Sequence, residues 1–547
     1  MVPTPPDAAS SSSSYAQLDF DHSPPRVTLP RRYNAAVDLL DRHLAEGRGD
    51  RIAVIDDRGP STYRSLAARA NRFGNALRAL GARMEERVAL CLLDTADFPA
   101  CFLGAMKIGA VPVLLNTLLT SQDYGYMLED CRARVLVVSD ALLPRLEPAL
   151  AGVPFVEQVI VASSPLGGKA HGHARLETLL EPASEQLAAA PTNADDVAFW
   201  LYSSGSTGAP KGAVHLHSHL VQTAALYGRG VLGIREDDVV FSAAKLFFAY
   251  GLGNSLTFPF LVGATAVLMA ERPTPAAVLQ RLQAHQPTIF YGVPTLYAAM
   301  LADPLFTPER GSQRLRVSTS AGEALPRHIG EKWKARFGTD ILDGIGSTEL
   351  LHIFLSNRHG DVHYGTTGRP VPGYELRLVG DDGEPAPDNQ EGSLWVHGPS
   401  SCTSYFGQRE KSLATFHGPW TRTGDRYIRD PEGRYTYSGR ADDMLKVSGI
   451  WVSPFEVESA LQQHEAVLEV GVVGRSDSDG LVKPMAFVVL KDPQRAAAPE
   501  AAQALAAELK AFVKDRIAPY KYPRWIEFLH ELPKTATGKI QRFRLRG

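Results

Sequence analysis

The sequence predicts an α/β protein: a large, multi-layer N-terminal domain with a β-rich subdomain, followed by a small α+β C-terminal cap domain. Apolar, β-rich runs alternate with helical patterns through most of the chain, the mark of α/β layers with largely parallel strands. From Tyr364 to Trp395 that alternation gives way to short strands and turns, and beyond about residue 441 the pattern changes again.

The first residues carry Pro3, Pro5, Pro6 and a serine run from Ser10 to Ser14 without an apolar signal core, so residues 1–33 are expected to form a disordered tail. Arg87 to Leu92 reads as a strand, Phe98 to Ile108 as a helix and Arg134 to Val138 as the next strand. The Gly- and Ala-rich stretch from Gly167 to Asp196 reads as a connection leading into a strand over Val197 to Tyr202. Near the end, Ser453-Pro454-Phe455-Glu456 supplies an N-cap, a proline at the first helical position and a glutamate three residues after the cap. A strand over Ala486 to Leu490, a helix over Ala501 to Lys514 and a strand over Arg524 to Leu529 complete the cap. The resulting division is 1–33, 34–440 and 441–547, with the joint near Asp442.

A chain of 547 residues suggests about three or four structural units. A net charge of −3 and a pI of ≈ 6.6 provide no basic field for nucleic acid or an anionic membrane, which leaves small molecules as partners. Cys91, Cys101, Cys131 and Cys402 show no CxxC spacing, which disfavours a structural zinc site or a disulfide scaffold and fits a reducing cytoplasm. The longest apolar stretch, Leu256 to Ala270, is interrupted by Pro259 and Gly263, so no transmembrane helix is expected. A monomer or homodimer is compatible with all of this.

After the strand at Val197, a loop offers Ser204, Ser206 and Thr207 with Gly205 and Gly208, closing on Pro210 and Lys211. Glycines let backbone N–H groups approach phosphate oxygens, hydroxyls add donors, and the lysine adds a mobile positive charge. The Walker pattern requires Gly-Lys-Ser/Thr at its end, whereas Lys211 stands between Pro210 and Gly212. Taken alone, such a loop is also a common surface turn.

Further segments follow in order: Ser320-Ala321-Gly322-Glu323, Gly346-Ser347-Thr348-Glu349, Thr423-Gly424-Asp425, Gly439-Arg440-Ala441-Asp442-Asp443 running on through Lys446-Val447-Ser448-Gly449, and finally PKTATGKIQR around Lys539. Together with the Ser/Gly loop, the series resembles the adenylate-forming superfamily of acyl-CoA synthetases, luciferases and peptide-synthetase adenylation domains, from about Ala35 to the C-terminus. The resemblance implies ATP, Mg²⁺ and CoA as cofactor and co-substrates, with a mobile cap that rotates about Asp442 between two half-reactions. It assigns catalysis to Lys539, which bridges carboxylate and α-phosphate, with Thr348 donating to that phosphate and Glu349 holding the Mg²⁺. Phosphates and nucleotide fall to the 204–208 loop, Lys211, Gly322, Glu323, Asp343, Gly344 and Ile345, the ribose to Asp425 and Arg440, and the thiol tunnel to Gly449. Ile345 departs from the pattern, since relatives often place an adenine-stacking aromatic there. Without the resemblance, Lys539 reads as a solvated lysine in a basic tail.

By the same resemblance the acid slot comprises Tyr227, Phe248, Ala249, Tyr250, Gly251, Ala321, Gly346, Leu351 and His352, with Gly344 and Ile345 beside them. Adenylation domains for amino acids need an anionic partner for the substrate ammonium where this chain has Phe248, and a buried ammonium without one is costly. Aromatics with small residues suit a planar ring. KLFFAYGLGN and DGIGSTELLHIFLSN resemble benzoate–CoA ligases, implying ATP-dependent activation of benzoate through benzoyl-adenylate and transfer to CoA. His352 either bonds a ring hydroxyl, which would favour a hydroxybenzoate, or holds neighbouring backbone. A luciferase-like oxygenase and a catalytically silent binding protein remain as other readings. The alternating His215, His217 and His219 read as one face of a strand rather than a tetrahedral metal cage.

Overall fold

The structure, a computed structural model, describes residues 14–203, 210–441, 443–447, 450–477, 482–517, 521–534 and 540–546. Two large sheets dominate the N-terminal part. In the seven-stranded sheet the spatial order is Lys211–Leu216, Val197–Ser203, Val111–Leu114, Arg87–Cys91, Val135–Ser139, Gln158–Ala162 and Ala174–Arg175. All neighbours are parallel except the first pair. The nine-stranded sheet is parallel at its centre, where Ile289–Gly292, Val317–Ser320 and Ile341–Gly346 lie side by side. Helix Asp97–Lys107 is buried along every residue, as a helix with no polar face must be. It packs closely on Tyr63–Ala79 because a Cβ on Gly104 would sit 2.4 Å from the Ala70 carbonyl oxygen.

The Gly/Ala-rich stretch contains more than a connection, since Ala174–Arg175 extends the seven-stranded sheet and Leu176–Leu180 forms a short helix whose terminal leucines are buried. The expected disordered tail is likewise corrected from residue 14 onward. Gln17–Asp19 and Arg26–Thr28 pair antiparallel, the Ala16 N–H donates to Asp38 Oδ2 (3.1 Å), and the Arg229 guanidinium lies 4.3 Å from the Phe20 ring centroid. Leu18, Val27 and Leu29 pack against the core. These few apolar residues, scattered among Pro, Ser and Asp, provide enough burial to order a segment whose composition resembles a linker.

Strands Glu375–Val379, Glu391–His397, Trp420–Arg429 and Tyr435–Arg440 form the β-rich unit. Beyond it, Ser453 caps helix Pro454–Gln462, its hydroxyl accepting the Glu456 N–H (3.2 Å). That helix and Pro499–Lys514 pack with a three-stranded sheet of Val467–Ser476, Val482–Leu490 and Trp525–Phe528. Buried Glu458 ties the cap together by accepting the Val472 N–H (2.7 Å) and pairing with Arg542 (2.7 Å). The Tyr437 and Phe455 rings meet edge to face at 5.1 Å, joining the β-rich unit to the cap. Among the described residues, no helix is long and apolar enough to cross a membrane.

Candidate active site

Ser203 pairs with Lys211 in the antiparallel ladder that flanks the Ser/Gly loop. The loop itself, with Ser204, Gly205, Ser206, Thr207 and Gly208, lies outside the described residues, as do Asp442, Gly449 and Lys539. On the other side of the 211–216 strand, residues 403–406 add a further extended segment. Thr403 N–H donates to the Val214 carbonyl (3.1 Å), Val214 N–H to Ser404 (3.1 Å), and Phe406 N–H to Gly212 (2.9 Å). This pairing brings Tyr405 beside Lys211, whose Nζ lies 4.3 Å from the ring centroid and donates to the phenol oxygen at 3.3 Å. The phenol in turn donates to Glu349 Oε1 at 2.7 Å, and the Cys402 N–H holds the Glu349 carbonyl at 2.7 Å. Burial pushes the Lys211 pKa down, with Glu349 opposing.

Thr348 is held from behind. His215 Nε2 donates to its carbonyl (2.8 Å), and the imidazole stacks on Phe199 at 5.1 Å. The three alternating histidines do not share a strand face: His215 lies near the end of the 211–216 strand, while His217 and His219 open helix His217–Thr223. His217 Nδ1 accepts the Ala35 N–H (3.1 Å). Burial holds His215 and His217 at a pKa of about 4, so both are neutral structural imidazoles. The period-two reading failed because the strand ends at Leu216.

A cleft of about 1720 Å³ opens between the N-terminal part and the cap. Lys211, Gly322 and Glu323 line it together with the 343–349 run. That run carries Asp343, Gly344, Ile345 and Gly346 on strand Ile341–Gly346, with Thr348 and Glu349 in the following turn. Asp425 and Arg440 face each other across paired strands and form an ion pair at 3.1 Å. From the cap side, Ile540 and Arg542 reach the same cleft. Burial pushes the Asp343 carboxyl well above the usual carboxylate range, opposed by the Leu325 and Gly344 N–H groups.

Of the residues expected to form the acid slot, Tyr227, Tyr250 and His352 meet in one aromatic cluster. His352 has Tyr227 at 5.3 Å, Tyr250 at 5.5 Å and Phe258 at 4.4 Å between ring centroids. Its Nε2 lies 3.2 Å from both the Tyr250 carbonyl and Asn254 Oδ1, so it is the donor nitrogen and is spent on the protein. Burial depresses its pKa to about 3. Phe248, Ala249 and Tyr250 are half-buried, whereas Gly251, Ala321 and Leu351 are buried. The Tyr250 hydroxyl is fixed by Thr319 Oγ1 at 2.6 Å. Gly346 lines the cleft and lies against the backbone of His352, since a Cβ there would sit 2.5 Å from the His352 carbonyl oxygen.

Sequence reasoning missed how the 245–251 loop is held. Lys245 Nζ donates to the Glu271 carbonyl (2.7 Å) and to that of Met269, and Asp94 receives the Leu246 N–H (3.3 Å). Burial lowers the Lys245 pKa, with Asp94 opposing, and raises Asp94 to about 6. Gly251 completes the fold-back, since a Cβ there would lie 2.0 Å from the Lys245 carbonyl oxygen. The available signal was a lone lysine heading the apolar run Leu246 to Tyr250. Tyr405 gave no comparable signal.

A model of AMP-binding enzymes matches residues 41–406, and a model of their C-terminal domain matches 456–539. The chain belongs to the AMP-binding enzyme family. It is 62% identical over 96% of its length to a benzoate–CoA ligase of Thauera aromatica, covering 98% of that protein. It is 52% identical to a 4-hydroxybenzoate–CoA/benzoate–CoA ligase of Rhodopseudomonas palustris, covering 94% of each chain. The crystal structure of a benzoate CoA ligase from Burkholderia xenovorans LB400 superposes with a TM-score of 0.86 at 55% identity, covering 94% of this chain and all of that one. The expected α/β architecture with a small C-terminal domain is therefore that of the family.

Lys245→Met should cost about 1–3 kcal/mol for each carbonyl left without its donor, read as a lower urea midpoint; an unchanged midpoint would show that the anchor carries nothing. His217 should make the fold acid-labile over a defined window. Its folded pKa lies below the ordinary 6.5, so its contribution is complete above pH 6.5 and is lost as pH falls towards 4. Wild type should therefore lose ground to His217→Gln across that window, whereas a midpoint difference independent of pH would contradict the buried neutral imidazole.

Proposed function

We propose that the chain is an AMP-forming benzoate–CoA ligase, an acid–thiol ligase that makes benzoyl-adenylate from benzoate and ATP and passes the acyl group to CoA. The observation that carries this reading is the meeting, at Gly346, of an aromatic slot with a cleft edged by Lys211, Thr348 and Glu349. The identity of 62% to the Thauera enzyme supports the same substrate. The working units are 34–440 and 441–547, turning about Asp442.

A benzoate oxygen attacks the α-phosphorus of ATP, the bond from that phosphorus to the bridging oxygen breaks, and pyrophosphate leaves. Charge builds on the α-phosphate, so cations and donors aimed there lower the barrier. Lys539 supplies the central cation and Thr348 a donor, while Lys211 and the 204–208 loop hold the remaining phosphates. Gly322, Glu323, Asp343, Gly344 and Ile345 border the base, and Asp425 accepts the ribose hydroxyls with Arg440 beside it. A single carboxylate at the wall, Glu349, fits Mg²⁺, which keeps several waters, takes other oxygens from substrate and would neutralise phosphate charge. In the second half-reaction the CoA sulfur attacks the acyl carbon past Gly449, the carbon–oxygen bond to AMP breaks, and the thiol proton passes to solvent.

Tyr227, Phe248, Ala249, Tyr250, Gly251, Ala321, Leu351 and His352 form the ring slot. His352 Nε2 is already occupied by protein, which favours an unsubstituted ring. One observation favours a second reading, a hydroxybenzoate: His352 Nδ1 is buried with no partner among the described residues and could accept from a ring hydroxyl. AMP release across benzoate, hydroxybenzoates, aminobenzoates, cinnamate and hexanoate, with and without CoA, decides between them. Benzoate should lead with CoA present, and a preference for hexanoate would overturn the aryl assignment.

Lys539→Ala should lose about 2.7–4 kcal/mol of transition-state stabilisation, roughly 10²–10³ in adenylation rate. Thioester formation from supplied benzoyl-AMP should suffer much less, and equal loss in both half-reactions would assign Lys539 a structural role. Ala249→Leu should overpack the slot at a cost of about 1–3 kcal/mol and lower kcat/KM for benzoate by roughly 10–200-fold, with KM for ATP little changed. Unaltered ratios among benzoate, hydroxybenzoate and hexanoate would show that the ring lies elsewhere.

A further inference from the structure

Tyr405 stands between the two opposite charges of the phosphate cleft. Its phenol oxygen accepts from Lys211 Nζ at 3.3 Å while its O–H donates to Glu349 Oε1 at 2.7 Å, and the lysine lies over the ring at 4.3 Å. Among the described residues Lys211 and Glu349 form no direct ion pair, although Glu349 opposes the lowering of the Lys211 pKa by burial. In a half-buried setting their attraction would be strong, because fewer waters screen it. The phenol prevents that collapse by meeting both with one neutral group.

Its own position is fixed independently of either charge. The 403–406 segment is pinned to the 211–216 strand by backbone hydrogen bonds on both sides of Tyr405, whose N–H donates to Ser412 Oγ at 3.0 Å. The ring packs against Phe416, with centroids 5.3 Å apart, in a small cluster with Ala213 and Cys402. The hydroxyl is thus held by the scaffold, and the two charged groups take their places from it.

We infer that Tyr405 is a positioning residue that keeps Lys211 and Glu349 apart and separately available, one for the polyphosphate and the other for its divalent cation. The inference rests on the nucleotide reading of the cleft. Removing only the hydroxyl, as in Tyr405→Phe, keeps the ring under Lys211 and against Phe416 but allows ammonium and carboxylate to close on each other. A nucleotide must then break that new pair before it can bind.

The test is equilibrium binding of Mg²⁺·ATP by titration calorimetry, without acid or CoA, on wild type, Tyr405→Phe, Glu349→Gln and the double variant, with the melting temperature of each measured alongside. Tyr405→Phe should bind on the order of tenfold more weakly at an unchanged melting temperature, the scale of one hydrogen bond to a charged group. In the Glu349→Gln background no ion pair can form, so the same substitution should add little, and this non-additivity is what a purely structural tyrosine would not produce. Wild-type affinity in Tyr405→Phe, or the same loss in both backgrounds, would overturn the positioning role while leaving the cleft assignment intact. A wild-type chain that binds no Mg²⁺·ATP would overturn the cleft assignment and this role with it.

Discussion

The site depends on one piece of backbone pairing, the addition of residues 403–406 to the 211–216 strand. Three N–H···O contacts and the bond from Cys402 to the Glu349 carbonyl bring together segments far apart in sequence. Backbone donors and acceptors left unpaired in a buried region are costly, so the pairing is obligatory as well as favourable. Once it forms, the register places Tyr405 opposite Ala213 and next to Lys211, and the turn carrying Thr348 and Glu349 follows. His215 reinforces it from further along the same strand by holding the Thr348 carbonyl.

A consistent electrostatic division accompanies this geometry. Buried imidazoles that support the walls are kept neutral by desolvation, as with His215 and His217 at about 4 and His352 at about 3. Lys245, buried under the slot loop, is satisfied by backbone carbonyls and the Asp94 field and does not face the cleft. Of the charges that face the cleft, Lys211, Glu349, Asp425 and Arg440 are each held by a contact at its edge.

The parts legible in the sequence were those with a local signature. Ser453-Pro454-Phe455-Glu456 announced a helix start because capping is decided within four residues, and the ordered series from Ser320 to Arg440 marked the cleft because glycines, hydroxyls and carboxylates sit at short spacings. Tyr405 was not legible, since nothing near Ser404 or Phe406 reveals that this stretch pairs with a strand almost two hundred residues earlier. Asp94 and Lys245 were missed for the same reason: an aspartate before a helix and a lysine before an apolar run acquire meaning only when the sheets stack. The tail failed in the opposite direction, because composition averages over Leu18, Phe20 and Val27, the residues that dock it.

On the proposed reading, Gly346 shows why the ring slot and the cleft share a wall. A carboxylic acid whose ring is buried among Tyr227, Tyr250 and His352 can react only if its carboxylate emerges where phosphate is held, within bonding distance of the attacked phosphorus. The wall between the two spaces must therefore be thin as well as apolar. At Gly346 it is a single backbone strand with no side chain, since even a methyl group would strike the His352 carbonyl. His352 in turn cannot retreat, because its ring edge meets Gly253, where a Cβ would come within 2.3 Å, and its Nε2 bonds the next turn at Tyr250 and Asn254. The glycines at 253 and 346 and the neutral histidine between them thus form one packed unit, in which no member can be enlarged without moving the others. On the proposed reading, this unit sets the distance between ring and phosphate and gives a flat aryl acid an advantage over a longer or bulkier one.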